Sequence, residues 1–581
     1  MEIIKLIKKS VKELQREKVF PEFAIPEIKI EHPEEKVHGD YATNVAMVIS
    51  KVAKKSPLEI AKLLIANGKL QMANLFEKVE VVEPGFINFF LSKDIFLDEI
   101  KAILKEKDKY GSSKINKGKT VVIDYSAPNI AKSFGIGHLR STIIGQALYN
   151  SCKFLGFKCV GDNHLGDWGT QFGKLIVAIK NWGKKKIKDY SIDDLEKLYV
   201  KFHKKAELNP KLKDEARNWF LKLEEGDKEA KKIWKECVNI SLKEFDRIYK
   251  LLGIKIDYAF GESFYLGMLK EIIEEAKNKK VATESQGALI IKYPNDELPL
   301  SMILKSDGAT TYLTRDLATI KYRLKRWKPA LIIYEVGADQ TLHLKQLFLA
   351  AELLGWSKKA EGERAPKFFH VGHGLYRTKT GKFSTRAGKT IHLEEVLNEA
   401  ILRAKKIIEE SETSRGLSKK EIENVAKAVG IGAIKYNDLS SHYSRDIIFD
   451  WEKILNLKGN SGPYLQYTFA RCQSVLNKAG FKIKTQSLKS LDFKQEETDI
   501  LRTIYKFPEV VEESAKNFSP NLITNFVFDL AQKYNLFYNS WPILKAETKE
   551  LRDFRLILTQ AVAQVLKNGL LLLGIESIEK M

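Results

Sequence analysis

DYSAPNIAKSFGIGHLRSTIIGQAL, residues 124–148, joins a short β-branched run, Val121-Val122-Ile123, to a segment with Leu139, Ile143, Ala147 and Leu148 at three- and four-residue spacing. The run reads as a buried strand and the segment as a helix. A glycine-bearing loop between them puts bare backbone N–H groups at the positive end of the helix, an arrangement that binds phosphate. The apolar KCVGDNH at 158–164 completes a strand–helix–strand unit, which implies a parallel sheet. ALIIYEVG at 330–337 and FFHVG at 368–372 supply further strands. Ligands of such sheets lie beyond the carboxyl ends of the strands, which places Asp339, Gln340 and His373 where a site is expected.

Around this unit the chain divides by pattern. Residues 1–105 read as a small α+β domain. Its first helix is amphipathic through Ile3, Ile4, Ile7, Val11 and Leu14, and Ser56-Pro57-Leu58-Glu59 has the form of a capping box. Val79 to Val82 and Phe86 to Leu91 are strand-like around Pro84-Gly85. The charged, Gly/Ser-containing 106–119 reads as a linker, and 120–392 as the parallel-sheet domain, interrupted by long charged helices from about 174 to 255. From 393 onward every strong pattern is helical: a connector over 393–455 and an α-domain over 456–581.

The composition, 44% hydrophobic and 30% charged over 581 residues, describes a folded multidomain protein. Lys and Arg number 97 against 75 Asp and Glu, a formal charge of +22, which points to a polyanionic partner. A Lys/Glu-rich surface that serves solubility is the bland alternative. Cys152, Cys159, Cys237 and Cys472 have no CxxC spacing, so neither a zinc cage nor a disulfide framework is expected, and a reducing cytoplasm fits. The apolar tract from Arg555 to Ile575 contains Gln560, Gln564, Lys567 and Asn568, and reads as a buried helix rather than a membrane span.

Three chemistries compete for the glycine loop. A dinucleotide fold would need a third glycine where Arg140 stands, so nicotinamide binding is disfavoured. GKFSTRAGKT at 381–390 imitates a Walker A loop, but six residues separate its glycines and it opens no βαβ unit. Taken together, GIGH at 135–138 and KFSTR at 382–386 resemble the paired HIGH and KMSKS signatures of class I aminoacyl-tRNA synthetases. DYSAPNIAKSFGIGHLRSTIIG, NHLGDWGTQFG, GATTYLTRDLATIKYR, SGPYLQYTFAR, HGDYATNVAM and the terminal VLKNGLLLLGIESIEKM are similar to the arginyl-tRNA synthetase family over nearly the whole chain. Two positions depart from its signatures. Gly135 replaces the first histidine of HIGH, and Thr385 the second lysine of KMSKS. The resemblance suggests that Lys132, just before the loop, replaces that lysine.

The resemblance implies a Rossmann-type catalytic domain, a tRNA-contacting N-terminal domain and a helical anticodon-binding domain. It implies a monomeric cytoplasmic enzyme that joins L-arginine to ATP with Mg²⁺, then transfers it to tRNA(Arg) and releases AMP and pyrophosphate. A synthetase for another amino acid and a non-catalytic tRNA-binding relative are the alternatives. His138, Lys132, Lys382 and Arg386 become the catalytic set, and Gly135, Gly137, His138, Lys382 and Ser384 the ATP contacts. Gly135 is expected to admit close approach of the nucleotide.

Arginine would be held by Asp124, Ala127, Pro128, Asn129, His138, Glu262, Tyr312, Asp316 and Gln340. Ala127 stands where many relatives have Ser, so only its backbone can contribute. Tyr312 and Asp316 are one helical turn apart and can share a pocket, and a planar cation calls for acceptor-only carboxylates. Tyr464, Tyr467, Arg471, Tyr538 and Met581 are the candidates for tRNA, whose unpaired bases stack on aromatic rings.

Overall fold

The computed structural model describes residues 2–67, 75–357, 365–378, 381–382, 392–411, 416–480 and 492–581. It contains two compact units. One comprises Met1–Tyr110, Val475–Phe507 and Gln532–Val565, and the other Gly111–Ser474, Pro508–Ala531 and Leu566–Met581.

The second unit is built on a five-stranded parallel sheet. Its spatial order is Lys367–His373, Leu331–Gly337, Thr120–Asp124, Lys158–Leu165 and Tyr258–Gly261. Val121, Val122, Ile123, Ile332 and Ile333 are wholly buried, as expected for strands covered on both faces. Strand order reverses between Thr120–Asp124 and Leu331–Gly337, which opens a crevice at their carboxyl ends.

The helix Ile136–Phe154 follows the first strand. A Cβ added at Gly145 would lie 2.3 Å from the Tyr125 Cβ, so this glycine is what allows the helix to approach the chain leaving the strand. The close-packing role of a third loop glycine is thus met at 145. Arg140 has a different task. It is buried, with Nε 3.1 Å from Asp438 Oδ1 and its terminal nitrogens donating to the Arg445 and Tyr443 carbonyls at 2.7 and 3.2 Å.

Between the second and third strands run Thr170–Trp182, Ile192–Leu208, Lys211–Glu225 and Lys228–Leu252, the helices expected there. Ser191 and Asp194 form a reciprocal capping box at the second of them. A three-stranded antiparallel sheet, Ala282–Ser285, Ala288–Ile291 and Ser301–Leu304, was not anticipated. The region after 393 is also not purely helical. Ile447–Ile448 pairs in parallel with Tyr376–Thr378, a non-local contact that no local pattern announces.

In the first unit, Glu2–Arg16 buries Ile7 and Val11, and Phe86–Leu91 lies between Tyr41–Thr43 and Phe76–Val82 in an antiparallel sheet. The box at Ser56 is only half formed. Ser56 accepts from the Glu59 N–H, but the Glu59 carboxylate pairs with Lys55 at 2.6 Å. Lys549–Leu572 is a single helix, and among the described residues no helix is long and apolar enough to cross a membrane.

Candidate active site

The loop leaving the first strand is strained. Ser126, Ala127 and Ala131 adopt left-handed conformations with φ of 79°, 43° and 60°. Each such residue costs on the order of 1–3 kcal/mol and persists only where its surroundings hold it. They do so here. The Ser126 N–H donates to Ser141 Oγ (2.8 Å), and its hydroxyl bonds those of Thr142 and Tyr249. The Ala127 N–H donates to Asn163 Oδ1 (3.0 Å) and the Ala131 N–H to Ser241 Oγ (2.9 Å). Pro128 is buried and Asn129 exposed. A Cβ at Gly166 would meet Asn129 Oδ1 at 2.5 Å, so that glycine makes room for the amide.

Gly135 caps the helix with φ −83° and ψ 158°, extended backbone open to any residue. Gly135 bridges to His392, while the Leu393 N–H donates to the Phe134 carbonyl at 2.7 Å. The space beside Gly137 is open, with nothing within 4 Å of an added Cβ. His138 is half-buried, edge-on to Phe134. Burial first, then Lys132 and His373, lower its pKa against an opposing backbone contact at Gly135, so the imidazole is neutral at neutral pH. Its Nδ1 is buried with no partner, and it remains available as a hydrogen-bonding group.

Lys132 is exposed, its Nζ 5.8 Å from the centre of the Tyr199 ring. The next residue anchors the loop to the same helix. The Ser133 N–H donates to Glu196 (3.3 Å) and its hydroxyl to Asp193 (3.0 Å). Lys382 enters a short hairpin opposite Arg377 through its backbone. The side chain of Lys382, and all of Ser384, Thr385 and Arg386, lie outside the described residues.

Across the crevice, Tyr312 opens the helix Tyr312–Trp327 and is 66% exposed. Asp316, one turn on, is half-buried with each oxygen facing an imidazole. Oδ2 is 2.6 Å from His343 Nε2, and Oδ1 is 3.9 Å from His164 Nε2. Glu262 shares the pocket but is already engaged, with Arg315 at 2.8 Å. Burial raises its pKa and the Arg315 charge opposes this. Gln340 is exposed beyond the end of Leu331–Gly337, and His373 is bonded to the buried Glu335 at 2.9 Å.

Asp124 is buried and paired with Arg323 at 2.7 Å, and Arg323 also bonds Asp162 at 2.8 Å. Asp124 and Asp162 are register partners on adjacent strands, so the guanidinium beneath the pocket separates two carboxylates that would otherwise repel. Asp124 lies beneath the pocket with Oδ2 paired to Arg323, while its Oδ1 is buried with no hydrogen-bond partner. Arg323 and His343 were not foreseen. Arg323 had a legible signal, since it lies two turns after Asp316 on the same helical face.

The family profile described as "tRNA synthetases class I (R), catalytic domain" matches residues 99–451. The chain belongs to the class I arginyl-tRNA synthetases. Profiles described as "Arginyl tRNA synthetase N terminal domain" and "DALR anticodon binding domain" match residues 1–91 and 465–581. The chain is 41% identical over 581 residues to the arginine–tRNA ligase of Halothermothrix orenii, covering 100% of this chain and 99% of that one. It is 42% identical over 577 residues to that of Clostridium perfringens, covering 99% and 100%. Among solved structures, arginyl-tRNA synthetase from Plasmodium falciparum superposes with TM-score 0.84 at 28% identity, covering 100% of this chain and 98% of that one. The Thermus thermophilus arginyl-tRNA synthetase gives TM-score 0.83 at 23% identity over 99% of both chains, a likeness of fold. Like other arginyl-tRNA synthetases, this one activates arginine with ATP and transfers it to tRNA(Arg).

Of the residues expected to meet tRNA in this synthetase, Tyr464, Tyr467 and Arg471 lie on one helix. Tyr467 and Arg471 meet on the helix Gly462–Ala479, the guanidinium 4.9 Å from the ring centre. Tyr464 packs edge-on against Phe528 at 5.6 Å and is half-buried, as is Met581. Tyr538 is 39% exposed and belongs to the other compact unit.

Proposed function

We propose that the crevice beyond the first and fourth strands carries out arginine activation with its side chains in the following roles. The substrate carboxylate attacks the α-phosphorus of ATP, the α–β phosphoanhydride bond breaks, and pyrophosphate leaves with its electrons. No covalent enzyme intermediate is required. Catalysis is positioning plus stabilisation of charge on the phosphoryl oxygens. His138 and the open backbone at Gly137 face the nucleotide, while Lys132, Lys382, Ser384 and Arg386 hold its phosphates. Asp316 and Tyr312 receive the guanidinium, with Glu262 and Arg315 forming the pocket wall. Ala127, Pro128, Asn129 and Gln340 bracket the α-amino and carboxylate groups.

The observation that carries this reading is Asp316, a half-buried carboxylate at the carboxyl end of the parallel sheet, across from the glycine loop. ATP–pyrophosphate exchange with each amino acid, with and without tRNA, tests it. Arginine alone should support exchange, and exchange with another amino acid would refute the pocket assignment. Among the described residues no group of three or more His, Cys, Asp or Glu side chains could hold a metal ion. Mg²⁺ would enter on the triphosphate with its own waters and neutralise phosphate charge when bound. We further assign tRNA contacts to Tyr464, Tyr467, Arg471, Tyr538 and Met581, and a monomeric cytoplasmic state to the protein. Sedimentation at working concentration tests the last point.

Lys132→Ala should slow activation by about 10²-fold, about 2.7 kcal/mol, with a smaller change in the KM for ATP, because a preorganised donor acts most strongly in the transition state. Single-turnover activation at saturating arginine, ATP and tRNA measures this. An unchanged rate would leave Lys382 and Arg386 to hold the triphosphate. The charge excess of +22 predicts that tRNA affinity falls at least about tenfold between about 50 and about 200 mM salt. A constant affinity over that range would assign the charge to solubility instead.

A further inference from the structure

The Asp316 carboxylate is not waiting empty for a guanidinium. Its Oδ2 already holds the Nε2 of His343 at 2.6 Å, from the helix Thr341–Leu353 that follows Gln340. We infer that His343 is the resident counter-ion of Asp316, and that arginine takes its place by expelling a proton from the imidazole to solvent. This rests on the assignment of Asp316 to the substrate guanidinium.

A carboxylate in a partly dry pocket needs a positive neighbour to stay ionised, and both oxygens need donors. Without substrate His343 supplies a donor to Oδ2, while Oδ1 faces His164 Nε2 at 3.9 Å, and the planar His343 N–H occupies one of the two acceptor positions a guanidinium would use. Asp316 and His343 are about a quarter to a third exposed, so a proton can leave directly to water. The groups that face the pair come from several elements. They are His164 on the second strand, Glu262 with its partner Arg315, Tyr312 one turn earlier, and Tyr334 on the fourth strand, with the Asp124–Arg323–Asp162 cluster beneath. Among the described residues Arg315 pairs with Glu262 and Arg323 with its two aspartates, and the imidazoles of His343 and His164 are the groups that face the Asp316 oxygens.

The direction of titration agrees. The hydrogen bond to Asp316 raises the His343 pKa above its ordinary value, against the opposing effect of burial. A bound guanidinium would remove that stabilisation and add a like charge, so the pKa must fall on binding. By linkage, arginine then binds more tightly as pH rises between the bound and free pKa values of His343, by up to about tenfold per pH unit. Below that window the imidazolium competes with the substrate.

Two measurements on the full chain test this. Titration calorimetry of arginine near pH 7, in two buffers of different ionisation enthalpy, should show net proton release. His343→Gln, which keeps a donor but cannot carry charge, should bind arginine without release and with an affinity flat from pH 5.5 to 8. The imidazole of His343, followed by NMR in the unmutated protein, should titrate at least one pH unit lower when arginine is saturating. An unshifted His343 titration, or equal proton release from the variant, overturns the inference while leaving the arginine pocket intact. Absence of arginine binding to the unmutated protein overturns the inference and the pocket assignment together.

Discussion

Asp316→Asn should reduce kcat/KM for arginine by about 30- to 10³-fold, the equivalent of about 2–4 kcal/mol, with ATP binding preserved. The carboxylate is half-buried, so its charge-assisted hydrogen bond to a guanidinium forms where water competes poorly. An amide keeps the shape but replaces one acceptor with a donor, which would confront the N–H groups of the substrate. Fold should survive, because Asp316 is flanked by the side chains of His343 and His164 rather than by the deeper core. The loss should fall on arginine use rather than on the nucleotide side of the crevice. Steady-state kinetics over arginine and ATP separately, with a melting curve for each protein, check this. Full efficiency in the variant would remove Asp316 from the guanidinium site.

The second large effect is on stability. Arg323 is wholly buried between Asp124 and Asp162 at 2.7 and 2.8 Å. Arg323→Met should destabilise the catalytic unit by about 3–5 kcal/mol at pH 8, since two buried carboxylates lose the guanidinium they share. Burial already raises the Asp162 pKa, with Arg323 working against that rise. Without the guanidinium, the Asp162 carboxyl is pushed further upward in the folded state while its unfolded value stays near about 4. A folded pKa raised above the unfolded one favours the folded state at low pH and loses that contribution as pH rises through the folded value. The variant should therefore be closer to the unmutated protein at pH 5.5 than at pH 8. Calorimetric melting at the two pH values measures the difference, and an equal deficit at both would mean that the carboxylates are not the source.

What could be read without coordinates was periodic or sequential. Val121-Val122-Ile123, ALIIYEVG and FFHVG announce buried parallel strands because they are short, apolar and bounded by polar turns. The i, i+4 spacing of Tyr312 and Asp316 places them on one helix face wherever that helix lies. The paired GIGH and KFSTR signatures, with their neighbouring motifs, carried the family resemblance, including the departures at Gly135 and Thr385.

Other features belong to pairs of residues far apart in the chain, and no local pattern contains them. Arg140 looked like a missing glycine, yet it anchors Asp438 and two distant carbonyls while Gly145 supplies the close packing. Strand register sets Asp124 beside Asp162 and brings Arg323 between them. His343 touches Asp316 only because two helices converge at the sheet end. The left-handed Ser126, Ala127 and Ala131 have unremarkable local sequence, and side chains from three other elements hold them in place. Periodicity determines which face of an element is buried. Which charges meet there depends on register and crossing, which tertiary packing alone sets.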